Sequence, residues 1–516
     1  MAQESRVKKT LLNARVNLFF YFITLALSFF SRKIFLDNLG ADFIGLTGSI
    51  GSLLGFLNLA ELGIGAAIGY VLYKPIFDQD HQKINEIISV FGYLYRWVGM
   101  FILLGGLILA GFFPLIYPNT GFDYGIIYFA YFSFLFSSLI GYFVNYRQTL
   151  LGADQRNYVV TAYFQTAGLI KTLIQMALAY YTGSYYLWVV VEFVFGILYA
   201  IILNWKINQV YPWLKTDVRS GKELRKKYPE IIKYTKQLFV HKIGIVAIFQ
   251  TTPFLIYAFS ALQYVAYYGN YTTITNNLQN LLGSFLGSTE ASVGNLIAEG
   301  DKNRILKVYW ELVAIRFFVT TVFAFALYNL LPPFIELWLG KQYLMSETIL
   351  LILIINFGMN IIRVVTDHYK NGFGIFYDVW APFAEAIISL SVAIVCGMKW
   401  GLEGVLMGNI VSTIVIVFGW KPYILFKKGM QVSLWNYIGN FSRNIIVMCG
   451  CLYLSTVIKN ILVPNMQGNE SWLSWILFSA ICVIIIGIVS LSVMLMFVPG
   501  MRAFISRINI VKLLRR

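Results

Sequence analysis

The stretch LGADFIGLTGSIGSLLGFLNLAELGIGAAIGYVLYKP, residues 39–75, reads as a membrane-crossing helix and sets the frame for the whole chain. Between Asp42 and Lys74 its sole charged side chain is Glu61, and glycines recur along it, Gly51 and Gly55 forming a GxxxG pair. Small residues at that spacing let helices approach closely in lipid, where packing replaces the hydrophobic drive of water. For Gly63, Gly65 and Gly69 packing is the plainer reading and a hinge the alternative. An ionised group inside such a run costs roughly 2.5–3.5 kcal/mol on insertion scales, so Glu61 is expected to face a bundle interior or a wet cavity.

The pattern returns 229 residues later. ELGIGAAI at 61–68 resembles EASVGNLI at 290–297, which also follows a GxxxG pair, Gly283 and Gly287. A second echo pairs Leu151-Gly152 through Val159 with Phe373-Gly374 through Val379, about 220 residues on. Two echoes at similar offset point to duplicated halves related by an axis along the membrane normal, an arrangement that alternating-access transporters use.

With 516 residues, 58% hydrophobic and 12% charged, the chain has too little polar surface to cover its apolar content in water. Apolar runs of about 20 residues, each enough for one span, start near Val16, Phe43, Ile87, Phe122, Tyr158, Tyr185, Leu238, Tyr264, Ile305, Ser346, Val379, Leu402, Tyr437 and Trp472. The expected fold is an all-α integral membrane protein of about fourteen transmembrane helices. They divide into an N-terminal lobe of six (1–205), a basic cytoplasmic linker (206–237), a C-terminal lobe of six (238–430), and two further helices with a basic tail (431–516). The first run follows basic residues like a signal peptide but meets Arg32 and Lys33 with only a weak cleavage signal, so it reads as an uncleaved span.

The net charge of +16 follows orientation rather than nucleic-acid binding, for which no motif is present. Basic residues collect in alternate loops, ten of them between 205 and 242, whereas the outward ends hold five: Arg32, Lys33, Lys341, Lys399 and Lys459. Both termini are therefore expected on the cytoplasmic side. The linker's charge could also hold anionic headgroups, but obedience to the positive-inside rule is the simpler account. Cys396, Cys449, Cys451 and Cys482 lie in or beside apolar runs without metal-ligand spacing and read as packing residues.

No enzyme signature is present: His81, His241 and His368 form no zinc motif, and no phosphate-binding loop for ATP occurs. No cofactor is expected, and transport would be secondary, with proton or Na⁺ coupling as the open options. The candidates are ionisable residues inside spans. Lys171 lies deep in the fifth helix with no acid within a turn of it, and either lines a cationic substrate cavity or pairs with Glu192. Arg96 and Arg316 occupy similar depths in the two lobes, Arg316 five residues after Glu311 on its own helix. Arg443, Arg363 and Arg147 lie nearer the cytoplasmic ends, where snorkelling suffices. Glu61, Glu192, Glu290 and Glu385 could bind a coupling ion or neutralise a cation, with Arg32 the proposed partner of Glu61. Aromatic clusters such as 128–132 suit interfacial belts, and secondarily the faces of sugars.

Residues 39–75, together with RQTLLGADQRNYV at 147–159, resemble the polysaccharide transporter family, the O-antigen type flippases of the multidrug/oligosaccharidyl-lipid/polysaccharide exporter superfamily. The resemblance implies a V-shaped pair of six-helix lobes plus two helices in the bacterial inner membrane. It implies movement of undecaprenyl-pyrophosphate-linked oligosaccharide to the outer leaflet by alternating access, with membrane lipids and other polysaccharide assembly proteins as partners. The family's first-helix arginine falls on Arg32 and the glutamate of its AELG motif on Glu61, so Arg32 joins Arg96, Lys171 and Arg316 as a candidate wall of a cationic cavity. The alternative within the same fold is a proton- or Na⁺-coupled multidrug antiporter, which would present unpaired carboxylates instead. A polymerase-like enzyme of glycan assembly is disfavoured by the short outward loops.

Overall fold

In the computed structural model the chain is helical, with no strand among the described residues. Those residues are 6–61, 64–118, 120–286, 289–375, 377–464 and 466–508, with side chains described except at 6–14, 18, 59–60, 66, 237–249, 284–285, 291 and 508. Gly63, Gly287, the His241 side chain and the charged residues beyond 508 lie outside them. Contacts divide the chain into two compact units, Met1–Ala266 and Tyr267–Arg516.

The first unit opens with α1 (Arg6–Leu57), which holds two expected spans in one element because Gly40 turns the chain at φ 81° without a loop. That left-handed conformation is open to glycine and strained for residues with a Cβ. Arg32 and Lys33 were expected at an outward end, yet they sit within helix, Lys33 paired with Asp37 one turn on at 3.4 Å. A short turn at Asn58–Glu61 leads to α2 (Ile64–Asp78), α3 (His81–Gly111), α4 (Phe113–Ile116) and α5 (Tyr124–Phe143). Asp80 and Asp123 accept from the first-turn N–H groups of α3 and α5, satisfying donors that a helix start leaves open. Next come α6 (Gln148–Ala153), α7 (Tyr158–Thr182), α8 (Tyr185–Val210), α9 (Gly221–Lys227) and α10 (Pro229–Phe259). Helix α1 packs on α7 and α10, α5 on α3 and α8, and α2 on α6 and α10. The contact boundary thus falls one long helix beyond the basic linker, within α11 (Leu262–Leu286).

The second unit contains α12 (Thr289–Glu299), α13 (Lys302–Leu339), α14 (Glu347–Gly372) and α15 (Trp380–Ser412), the last reversed at Gly401. Beyond that break Gly404 lies so close to its antiparallel partner that a Cβ would stand 2.1 Å from the Cys396 carbonyl oxygen. The helical path continues through α16 (Lys421–Ile424) to Met430, followed by α17 (Leu434–Leu462), α18 (Trp472–Phe497) and α19 (Pro499–Ile508). A buried core of Tyr309, Phe317, Tyr369, Phe426 and Met494 joins α13, α14 and α18.

Nine stretches among the described residues are long and apolar enough to cross a membrane, Arg15–Leu57 and Trp380–Met430 each holding two expected spans. Helices α7 and α11, 25 residues each, are more polar, and α10 has 31 residues. At about 1.5 Å per residue each exceeds the roughly 30 Å of hydrocarbon. Helix α18 shows the opposite character: Leu473, Ile484 and Ile488 are 68%, 59% and 63% exposed, an outward apolar face suited to lipid.

Candidate functional site

Glu61 ends the turn that separates α1 from α2. Its carboxylate accepts from the buried hydroxyls of Tyr95 on α3 and Tyr142 on α5, the latter at 2.9 Å. The Tyr142 hydroxyl also lies 3.1 Å from Asn58 Oδ1, which accepts from Ser138 at 3.3 Å. Arg32 is not the partner the sequence suggested; its Nη2 donates to the Ala266 carbonyl at 2.9 Å instead. Among the described residues Glu61 forms no ion pair.

In front of this carboxylate lies a cavity of about 500 Å³, lined by Glu61, Ser138, Asn145, Gln148, Thr149 and Asn157 together with the two tyrosines and Gly152. Its rim is the loop after α6. Asp154 N–H donates to Leu150 O, Gln155 N–H to Gly152 O and Arg156 N–H to Leu151 O, with Gln155 at φ 57°. The Asp154 carboxylate holds the loop through Tyr211 at 2.8 Å and Arg156 at 2.9 Å. Burial and that carboxylate push the Tyr211 phenol above its usual range.

The second unit repeats this loop. Phe373 N–H donates to Tyr369 O, Gly374 N–H to Asn371 O and Ile375 N–H to Lys370 O, with Gly374 at φ 66°. The geometry therefore matches positions 219 apart, a correction of the sequence echo that set Gly152 against Gly374: Gly152 corresponds to Asn371 and Thr149 to His368. The other repeat member, Glu290 on α12, meets the same loop, just as α2 meets α6. Asn371 Nδ2 donates to Glu290 Oε1 at 2.9 Å, and His368 lies 3.2 Å from Thr289 Oγ1 and 4.0 Å from Glu290 Oε2.

The four candidate cations have different surroundings. Lys171 Nζ lies 2.7 Å from Glu192 Oε1, and Gln175 donates to the other oxygen of that carboxylate at 3.0 Å, so the ion pair weighed against a free cationic wall is formed. Arg96 is exposed on α3. Arg316 is 5% exposed and donates to the Leu286 carbonyl at 2.8 Å. Glu311 does not neutralise it, because that carboxylate pairs with Arg507 of α19 at 2.6 Å. Glu385 is buried against Arg363 at 3.5 Å, and Arg363 reaches Asp367, which in turn binds Lys421 at 2.7 Å. Arg363 is therefore a network member rather than a snorkelling residue. Sequence reasoning missed Tyr95 and Tyr142, whose signal is only that aromatic hydroxyls sit mid-span; for Asp367 the spacing of four from Arg363 was visible.

No protein-family profile and no curated protein matches the sequence. Among solved structures the fold is similar to that of the lipid II flippase MurJ in an inward closed conformation, at a TM-score of 0.62 and 15% identity over 92% of this chain and 97% of that one. It is also similar to a multidrug resistance MATE family transporter of the MOP superfamily in an inward-facing conformation, at 0.58 and 15% identity over 78% of this chain and 96% of that one. The likeness is one of fold, an all-helical architecture of many long helices.

Proposed function

We propose that the chain is a secondary transporter that flips undecaprenyl-pyrophosphate-linked oligosaccharide repeat units from the cytoplasmic to the outer leaflet of a bacterial inner membrane, for polysaccharide, O-antigen or capsule export. Alternating access moves the substrate, and both termini face the cytoplasm. The fold shared with a lipid II flippase supports this reading.

Arg316 carries the choice of an anionic substrate. Its buried guanidinium bonds a backbone carbonyl, and among the described residues it has no carboxylate at ion-pair distance. A carbonyl offers a dipole and no countercharge, so the positive field survives in a medium of low dielectric. A guanidinium fork also suits phosphate oxygens geometrically.

The test is reconstitution in liposomes with undecaprenyl-pyrophosphate-linked glycan, measuring its exposure to an impermeant glycan-cleaving enzyme. Protein-dependent exposure that falls in Arg316→Gln and recovers in Arg316→Lys supports the flippase and its cationic determinant. Absence of exposure with folded protein and native glycan overturns it.

A second reading, a proton- or Na⁺-coupled multidrug antiporter, is favoured by one observation: the Glu61 carboxylate has hydroxyl donors but no cation among the described residues. Cation-driven efflux of a cationic dye, abolished in Glu61→Gln, would establish it.

A further inference from the structure

Both units build the same loop beside a glutamate of the repeat, and in the first a cavity of about 500 Å³ opens there. The two loops differ in two side chains. In the second unit Asn371 closes on Glu290 at 2.9 Å and His368 stands between Thr289 and Glu290. Their counterparts are Gly152, which has no side chain, and Thr149, which is shorter than an imidazole by most of a ring. An amide and an imidazole thus approach Glu290 at positions where the first unit has a glycine and a threonine lining the cavity before Glu61.

We infer that this cavity is a saccharide-binding subsite. Its volume falls within the roughly 300–1,000 Å³ of small-molecule sites. Its lining suits the other parts of a lipid-linked glycan less well. Among the described residues no lysine or arginine lines it to meet a pyrophosphate, and Glu61, Ser138, Asn145, Gln148, Thr149 and Asn157 set polar groups that an acyl chain would have to desolvate. A neutral polyol matches it: hydroxyls donate to the carboxylate and both donate to and accept from the amides. Two hydroxyl bonds occupy only part of the acceptor capacity of Glu61. Asn157 stands at the start of α7, yet its side chain makes no capping bond, which leaves the amide available. The rim is held by the bonds of Asp154 to Tyr211 and Arg156, so little ordering is required on binding.

This deepens the flippase reading and rests on it for biological meaning: the cations hold the pyrophosphate, and this pocket holds sugar. The experiment uses full-length protein purified in lauryldimethylamine oxide, a detergent without sugar, and saturation-transfer NMR with glucose, galactose, rhamnose, N-acetylglucosamine and N-acetylgalactosamine as free probes. Wild type is compared with Glu61→Gln and with the double variant Thr149→His/Gly152→Asn, which transplants the filling of the second unit. At least one sugar is expected to receive saturation from wild type and to lose it by about fivefold or more in both variants, the scale of one net hydrogen bond. If the double variant does not fold, Glu61→Gln decides. Absence of transfer to every probe, or transfer undiminished in the folded variants, overturns the inference. Protein that flips lipid-linked glycan without such binding sinks this subsite alone, whereas sugar binding without flipping sinks the flippase reading alone.

Discussion

Arg507 of α19 reaches back to Glu311 of α13 at 2.6 Å, placing its cation against a carboxylate side chain that is only 2% exposed. The pair ties the last described helix to the second unit, beside a close approach in which a Cβ on Gly500 would stand 2.3 Å from the Trp310 carbonyl. Removing one member of a fully buried pair costs about 3–5 kcal/mol, because the other charge is stranded. Here Arg507 is 53% exposed and partly hydrated, so Arg507→Ala is expected to cost less, about 2 kcal/mol. Thermal unfolding in detergent should show the loss, and Glu311→Gln added to Arg507→Ala should recover most of it. A double variant no more stable than the single would refute the pairing.

Lys171 and Glu192 form a half-buried pair between α7 and α8. Lys171→Met strands the carboxylate at a cost of about 1–3 kcal/mol, and Lys171→Met/Glu192→Leu should restore the melting temperature. Flipping measured on the same proteins separates roles: recovery in the double variant marks a structural lysine, and persistent loss with restored stability marks a substrate contact.

At Glu61 the two tyrosines share one acceptor, and their rings lie 5.3 Å apart. Tyr95→Phe and Tyr142→Phe should each lower stability by about 1 kcal/mol. The double variant should depart from additivity, since neighbours in one network couple by roughly 0.5–3 kcal/mol. Strict additivity in denaturation measurements would argue that the hydroxyls act independently.

The hairpin at Gly401 supplies a backbone test. Gly401→Ala places a Cβ at φ 54° and is expected to cost about 1–2 kcal/mol. Gly404→Ala should cost more, because its Cβ meets backbone at 2.1 Å and one chain must move. Equal melting temperatures for the two variants would contradict the close packing of this hairpin.

Much of the fold was legible because its cause is local. Long apolar runs such as 472–497 dictate helix in a solvent without hydrogen-bonding partners, whatever their neighbours. Helix α11 was legible as a run, but the complete burial of its Asn270 was not, since that depends on the helices packed around it. Arg32 and Lys33 read as an outward end because charge normally ends a span, whereas the helix runs on past them to the turn at Gly40. The repeat was visible, but its register was three residues out, because the loop is defined by backbone hydrogen bonds rather than by the Leu-Gly and Phe-Gly pairs.

The sequence by itself determined that this is an all-helical membrane protein with duplicated elements and ionisable residues inside its spans, since hydropathy, glycine spacing and charge alternation each act through neighbours along one helix. Tertiary structure alone decided which charges are cancelled. Lys171 meets Glu192, Glu311 meets Arg507, Glu61 meets two tyrosines and Arg316 a carbonyl, across separations of 21 to 196 residues in the chain. The rotation of one helix against another sets those partners, and a rotation of a fraction of a turn exchanges one for the next. The cavity before Glu61 follows the same rule: Gly152 and Thr149 are ordinary residues in the sequence, and become a site only where the fold sets them opposite a carboxylate.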